Sequence, residues 1–394
     1  MHLGDLFRNN AQVPRCLRAF SAIVAFAVAL ISYSGDAFAY PEFQFSTGAV
    51  RCSLCHVSPS GGGLLNGYGR SQAEDISTFG GNPEFLYGIW EEPDWVKFGV
   101  DLRVAGLSRK NGTGRDFIVF PMQGDTYVDF FFKDFTAAVI IGPRAQARTP
   151  RESALARMNS REHWVMWRPK TQGPYARAGR FYAPFGLRQQ DHTTFNRRYL
   201  GFHSFEESYN LSGGYVKNAW EAHATLFAPA PGPLQNVLGG GPAAYGVTGY
   251  YEKRLGKRVG AAAAQARIAK SASDLRSTVG GVVKYYLEPA KLLLMGELDL
   301  TLQTFDDGDS PARAQFTSYL SASYTPIKGV SVTAALQRHD TDLSVKKTAY
   351  DAAQLSFQWF ARSHLELHTL YRLEFSGDFE KPRLLAFWML HYFL

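Results

Sequence analysis

Cysteine is scarce in this chain and long apolar runs are scarcer. Three cysteines, Cys16, Cys52 and Cys55, cannot supply the several bridges of a disulfide-stapled fold. After residues 19–33 no stretch approaches the roughly 20 uninterrupted apolar residues that a spanning helix needs, which excludes a helical membrane protein. Histidine is missing between His56 and His163, and methionine between His56 and Met122, so any metal chemistry near residue 56 lacks the usual local ligands.

What is present begins with an expected export signal over residues 1–39. Arg8, Arg15 and Arg18 precede the apolar run, and Ala37, Phe38 and Ala39 offer a small-residue cleavage site, so the mature chain is expected to start at Tyr40. Cys16 falls inside that signal, which leaves Cys52 and Cys55 as the only mature thiols. Composition favours one large β-domain for the remainder. Tyr 20, Phe 29 and Gly 37 are high counts, and the 45% hydrophobic content is spread through alternating positions.

Both thiols lie in Arg51-Cys-Ser-Leu-Cys-His56, a C-x-x-C-H motif. Its spacing lets two sulfurs bond the vinyl groups of a haem while the adjacent imidazole reaches the iron. A zinc site would need two more nearby ligands, which the sequence does not offer. A thioredoxin-like dithiol would need a strand-to-helix junction, and the following Ser-Pro-Ser-Gly-Gly-Gly run supplies none. A disulfide between the pair would close too small a loop to stabilise much. Over this motif the chain resembles the c-type cytochromes, and the resemblance implies one covalent haem c, with Cys52 and Cys55 as thioether anchors and His56 as proximal iron ligand. Residues 59–69 are rich in glycine and are expected to wrap the cofactor, with Leu64, Leu65 and Tyr68 against a porphyrin face; a plain linker is the alternative. Cytochromes usually supply a second axial Met or His from within the haem domain. Here either the rest of the chain completes the iron or the sixth position is open.

From Trp95 onward the pattern changes to period-two alternation. Val96, Phe98, Val100, Leu102 and Val104 oppose Lys97, Gly99, Asp101 and Arg103. Leu298, Leu300 and Leu302 oppose Glu297, Asp299, Thr301 and Gln303, and Leu365, Leu367, Tyr371 and Leu373 oppose His364, Glu366, His368, Arg372 and Glu374. About sixteen such segments fit between Trp95 and the C-terminus, so the expected fold is all-β: a transmembrane antiparallel barrel of about 16 strands preceded by a short haem-binding segment. The expected divisions are 1–39, 40–93 and 94–394. Leu384, Ala386, Trp388, Leu390, Tyr392 and Leu394 share one face of a closing strand, which resembles the ends of outer-membrane proteins, although those often finish in Phe. Residues 179–188, Gly-Arg-Phe-Tyr-Ala-Pro-Phe-Gly-Leu-Arg, resemble a pattern of some porins.

Charge is uneven along the chain. Between Arg144 and Arg198 twelve basic residues face only Glu152, Glu162 and Asp191, an excess of nine where the whole chain carries +7. Such a block would line a pore and favour anions, or form an outer loop. Arg168, Arg177, Arg180 and Arg188 are the candidates for an anion-attracting constriction, but Arg177 and Arg180 have opposite parity, so one points toward lipid unless the strand is bulged or already beyond the apolar band. His364, Glu366 and His368 share a face at a spacing that any polar lumen produces, which carries no metal assignment. Export and alternation argue against nucleic acid as a partner.

The expected function is electron transfer at the bacterial cell envelope, with the haem segment in the lumen or on the periplasmic side. The partners would be periplasmic or multihaem cytochromes and outer-membrane lipid. The alternative is an anion-selective porin, passing small anions, with a redox- or ligand-sensing haem plug. No enzyme is expected; an open sixth position would leave a peroxide- or gas-reactive iron as the enzymatic reading.

Overall fold

Alternating strands present two unlike faces, and closing them into a cylinder satisfies both without leaving an edge. The computed structural model describes residues 41–111, 114–143, 158–203, 206–230, 243–256, 259–377 and 382–394. The expected signal, Tyr40 and four of the basic residues (Arg144, Arg148, Arg151 and Arg157) lie outside the described residues. Among those described, sixteen antiparallel strands run from β1 (Val96–Asn111) to β16 (Arg383–Phe393). Each pairs with its neighbours in chain order, and β1 closes on β16 through Asp101↔Phe393 to Lys110↔Leu384.

The faces divide as the alternation requires. On β11 (Leu292–Phe305), Leu298, Leu300 and Leu302 are exposed outside while Glu297, Asp299, Thr301 and Gln303 are buried inside. Aromatic side chains mark the outer rim, where Trp95 stacks on Phe130 at 6.3 Å and Tyr215 on Trp220 at 5.5 Å. An apolar band with an aromatic girdle is the surface a strand-built membrane cylinder presents to lipid. At that same end the connections 133–134, 217–219, 288–291, 328–329 and 363–364 are short; the other end carries the longer 182–207, 306–312 and 341–348.

Two segments fill the cylinder. Residues 41–95 enter from the short-turn end as a plug of 3-10 turns and one α-helix, α1 (Gly67–Asp75). The plug is bonded to that rim: Thr78 and Phe79 N–H groups donate to the Phe360 and Ala361 carbonyls at 2.9 and 3.1 Å. It also finishes the wall. β16 runs out at Leu394 opposite Val100, and beyond it the Phe98 N–H donates to Glu92 while the Phe98 carbonyl accepts from Arg70 Nη2 at 2.7 Å. An ion pair between Arg70 and Glu92 holds this substitute partner in place.

The second segment is the connection 182–207 between β5 (Gly173–Phe181) and β6 (Ser208–Val216), which contains the short helix α2 (Phe195–Arg198). It folds inward and crosses to the far wall. Leu187 N–H donates to Glu297 at 2.9 Å, Phe195 N–H to Gln337 at 2.8 Å, and Arg372 Nη2 to Asp191 at 2.7 Å. Phe45 of the plug and Leu187 of this loop share one buried cluster with Ala261, Val282 and Leu293 of the wall. Plug and loop therefore meet inside the barrel.

Candidate functional site

The thiols and imidazole of the sequence motif are brought to one face by a single helical turn. Cys52–Leu54 form a 3-10 turn, Cys55 N–H donates to the Cys52 carbonyl at 3.2 Å, and His56 N–H donates to the same carbonyl at 3.0 Å. Positions i, i+3 and i+4 of a helical turn lie above one another. All three residues line a cavity of about 1340 Å³, counted with its open mouth, between the plug and the barrel wall.

The glycine-rich stretch after the motif is an ordered return. Gly61, Gly62 and Gly63 all have positive φ, 81°, 75° and 62°, and turn the chain back so that Val57 N–H donates to the Leu64 carbonyl at 3.1 Å and His56 bridges Leu65. Asn66 then caps α1, accepting from Gly69 N–H at 3.0 Å, while its own N–H donates to the Cys55 carbonyl at 2.8 Å. A Cβ on Gly69 would sit 2.2 Å from that carbonyl oxygen, so the helix can lie on the motif only with glycine there. Leu64 and Leu65 line the cavity. Tyr68 does not: it is exposed and donates its hydroxyl to the Thr47 carbonyl at 3.5 Å, because the helix carries it to the outer side of the plug.

The chemistry of the lining suits an iron porphyrin. Phe43, Ile76, Val100, Phe360 and Phe393 supply apolar walls, and Arg51, bonded to the neutral Ser53 and Asn218 side chains, supplies a cation for a carboxylate at the edge of a flat apolar group, while Arg103, Arg188 and Lys284 are already paired with Asp101, Glu221 and Glu252. His56 Nδ1 is buried with no hydrogen-bond partner. Burial holds the His56 pKa down to about 4, against the raising effect of the Gly63 and Gly62 carbonyls, so the ring is neutral and able to ligate at neutral pH. Burial, then the neighbouring Cys52, pushes Cys55 up to about 12, the opposite of the depressed thiol of a dithiol oxidoreductase. The two cysteines are not bonded to each other.

The four arginines picked out from the sequence divide three to one. Arg177 donates to the Ser58 and Ser60 hydroxyls at 2.6 and 3.0 Å and lies 3.6 Å over the Phe181 ring. Arg188 donates to the Ser60 carbonyl at 3.0 Å and to Glu221 at 3.1 Å, and Arg168 reaches the Val57 carbonyl at 3.4 Å. These three clamp residues 57–60 of the plug. Arg180 instead donates to the Ser160 carbonyl at 3.0 Å and pairs with Glu207 at 3.3 Å. Its parity problem is solved at Gly179, whose φ of +138° breaks the alternation of β5 and turns Arg180 inward, so that both arginines are buried.

Sequence reasoning left several lining groups unassigned. His364 and His391 border the same cavity as His56. His391 is clamped, with Nδ1 2.7 Å from Glu366 and Nε2 2.9 Å from Asp101. His364, in the turn before β15 (Leu365–Ser376), has its Nε2 2.9 Å from the Asn82 carbonyl. Alternation alone marked His364 as lumen-facing; only closure of the barrel around the plug brings it and His391 to the cavity that residue 56 lines.

No protein-family model matches the chain, and no curated protein does. Solved structures do. An anion-selective porin from Comamonas acidovorans superposes with a TM-score of 0.58 at 9% identity, over 76% of this chain and 99% of that one. The outer-membrane channel DcaP of Acinetobacter baumannii gives 0.56 at 9% identity, over 76% and 97%. OmpT of Vibrio cholerae, an outer-membrane protein, gives 0.56 at 9%, over 77% and 99%. These likenesses show the fold, a closed sixteen-strand antiparallel barrel of the outer-membrane porin kind.

Proposed function

We propose that this chain is a bacterial outer-membrane barrel whose plug carries one covalent haem c and passes single electrons at the cell envelope. The observation that carries the reading is the presentation of Cys52, Cys55 and His56, on one helical turn, to a cavity between plug and barrel wall. The haem would supply one-electron exchange at its iron. The protein's own residues do the rest. Cys52 and Cys55 hold the group, His56 orients it through a neutral ring, and the apolar walls keep water from it. Arg51, whose guanidinium meets the neutral Ser53 and Asn218 side chains, neutralises its acidic edge.

The short-turn end, where the plug enters, is the periplasmic side by the usual arrangement of such barrels. One haem cannot bridge a membrane, so periplasmic or multihaem cytochromes are the proposed partners for donor and acceptor. A second reading, an anion-selective channel with a redox-sensing plug, draws support from the arginines that clamp residues 57–60. Against it, Arg180 and Arg188 are each paired with a buried carboxylate, which reduces their pull on a passing anion.

A haem-stained gel of the membrane fraction, run with and without heating, tests the reading together with mass spectrometry of the peptide holding residues 51–56. Haem staining should follow a band whose mobility changes on heating, and the peptide should carry the mass of haem. Unmodified Cys52 and Cys55 would remove electron transfer and leave a plugged barrel.

A further inference from the structure

We propose that His364, contributed by the barrel wall, is the second axial ligand of the haem held at Cys52, Cys55 and His56. The inference rests on the haem reading above and adds what the plug itself lacks, since no histidine or methionine of residues 57–95 is available. Among described residues that line the cavity, the other strong donors are committed. His391 lies between Asp101 and Glu366, Lys284 Nζ donates to Gln44 and Glu252 at 2.8 and 2.9 Å, and the Tyr127 hydroxyl donates to Asp101 at 3.4 Å.

His364 differs in kind. A carbonyl can only accept, so the 2.9 Å contact with Asn82 puts the proton on Nε2 and leaves Nδ1 unprotonated. That Nδ1 is buried and has no hydrogen-bond partner, while the residue itself is 2% exposed. A ring nitrogen anchored on a backbone carbonyl, with its other nitrogen bare beside a cavity, is the arrangement that outer-sphere contacts give metal-bound histidines. The Tyr87 ring, 4.6 Å away and edge-on, fixes the imidazole plane further. Asn82 and Tyr87 both belong to the plug, so the plug orients the wall residue that would ligate its own cofactor. Two imidazoles on one iron would tie plug to barrel and make the centre low-spin and closed to small ligands.

The test is spectroscopy of the full-length, haem-loaded protein in detergent. The wild type should be six-coordinate and low-spin in both oxidation states, with a reduced spectrum unchanged by carbon monoxide. His364→Ala should turn high-spin and bind carbon monoxide, and added imidazole should restore the low-spin spectrum. His364→Met should stay low-spin, gain a sulfur-to-iron charge-transfer band and shift its midpoint potential upward. Should His364→Ala fail to assemble, His364→Gln keeps a donor for the Asn82 carbonyl and carries the same high-spin expectation. A low-spin, gas-indifferent His364→Ala or His364→Gln protein with haem attached would overturn the assignment and leave the haem reading standing, as would a wild type that is already high-spin. Absence of haem from wild-type residues 51–56 would remove both.

Discussion

At the scale of single residues, the site depends on how closely backbones approach. Gly69 and Gly67 lie two apart in α1, yet a Cβ at Gly69 would meet the Cys55 carbonyl at 2.2 Å while one at Gly67 meets nothing within 4 Å. Gly69→Ala must therefore lift the helix off the motif, at an overpacking cost of about 1–3 kcal/mol, whereas Gly67→Ala leaves the contact unchanged. Limited proteolysis of the folded protein should cut residues 41–95 several-fold faster in Gly69→Ala and at the wild-type rate in Gly67→Ala. Equal rates in the two variants would mean that α1 does not bear on Cys55. The sequence did make this stretch readable as a close wrap, because glycine frequency reports permitted approach. It could not separate one glycine from its neighbour, because the carbonyl that excludes a side chain lies fourteen positions away.

At the scale of elements, the strands were legible and the inward loop was not. Leu298, Leu300 and Leu302 alternate with Glu297, Asp299 and Thr301, and local alternation is all that a half-lipid, half-lumen strand needs. Loop 182–207 carries no such period; its path is set by distant partners such as Gln337 and Arg372, so Arg188 reads as a pore residue until the loop is seen to lie on the plug. That docking is expected to be acid-sensitive. Burial, and then His203 nearby, holds the His192 pKa down to about 3, so the docked loop favours the neutral ring. The undocked ring takes a proton near pH 6.5, and stability is lost progressively as pH falls from there toward 3. Asp191 adds to the same trend lower down. Burial opposes its ionisation, but Arg372 and Thr193 hold its pKa at about 2, so its contribution is intact above about pH 4 and lost as pH falls to 2. Hydrogen exchange of the 182–203 peptides, corrected for intrinsic rate, should show protection falling between pH 6.5 and 4. His192→Asn should flatten that part of the profile; a profile unchanged by the substitution would place the titrating group elsewhere.

At the scale of the whole molecule, a barrel of sixteen strands is wide enough to leave an aqueous channel unless something occupies it. Here two segments do so from opposite ends, and they are joined: Arg188 of the loop donates to the Ser60 carbonyl of the plug, and Arg177 of the wall donates to the Ser58 and Ser60 hydroxyls. The wall does not need the plug for closure, since β1 and β16 pair over ten residues, from Asp101↔Phe393 to Lys110↔Leu384. What the plug adds is a cap on the short free edge at Phe98 and a filled lumen. Deleting residues 41–88 behind the export signal removes Arg70 and with it the cap at Phe98, but it spares every β1–β16 pair and should therefore leave a heat-modifiable barrel while opening the short-turn end. In planar bilayers the single-channel conductance of the deletion protein should exceed that of the full chain by roughly an order of magnitude, as expected when a plugged lumen becomes an aqueous one. Substituting Arg188→Ala alone should raise conductance far less, because Arg168, Arg177 and the rim contacts at Phe360 and Ala361 still hold the plug. Equal conductance in the full chain and the deletion protein would mean that loop 182–207, and not the plug, limits passage, and the arginines that clamp residues 57–60 would then matter for holding the plug in place and not for what crosses the barrel.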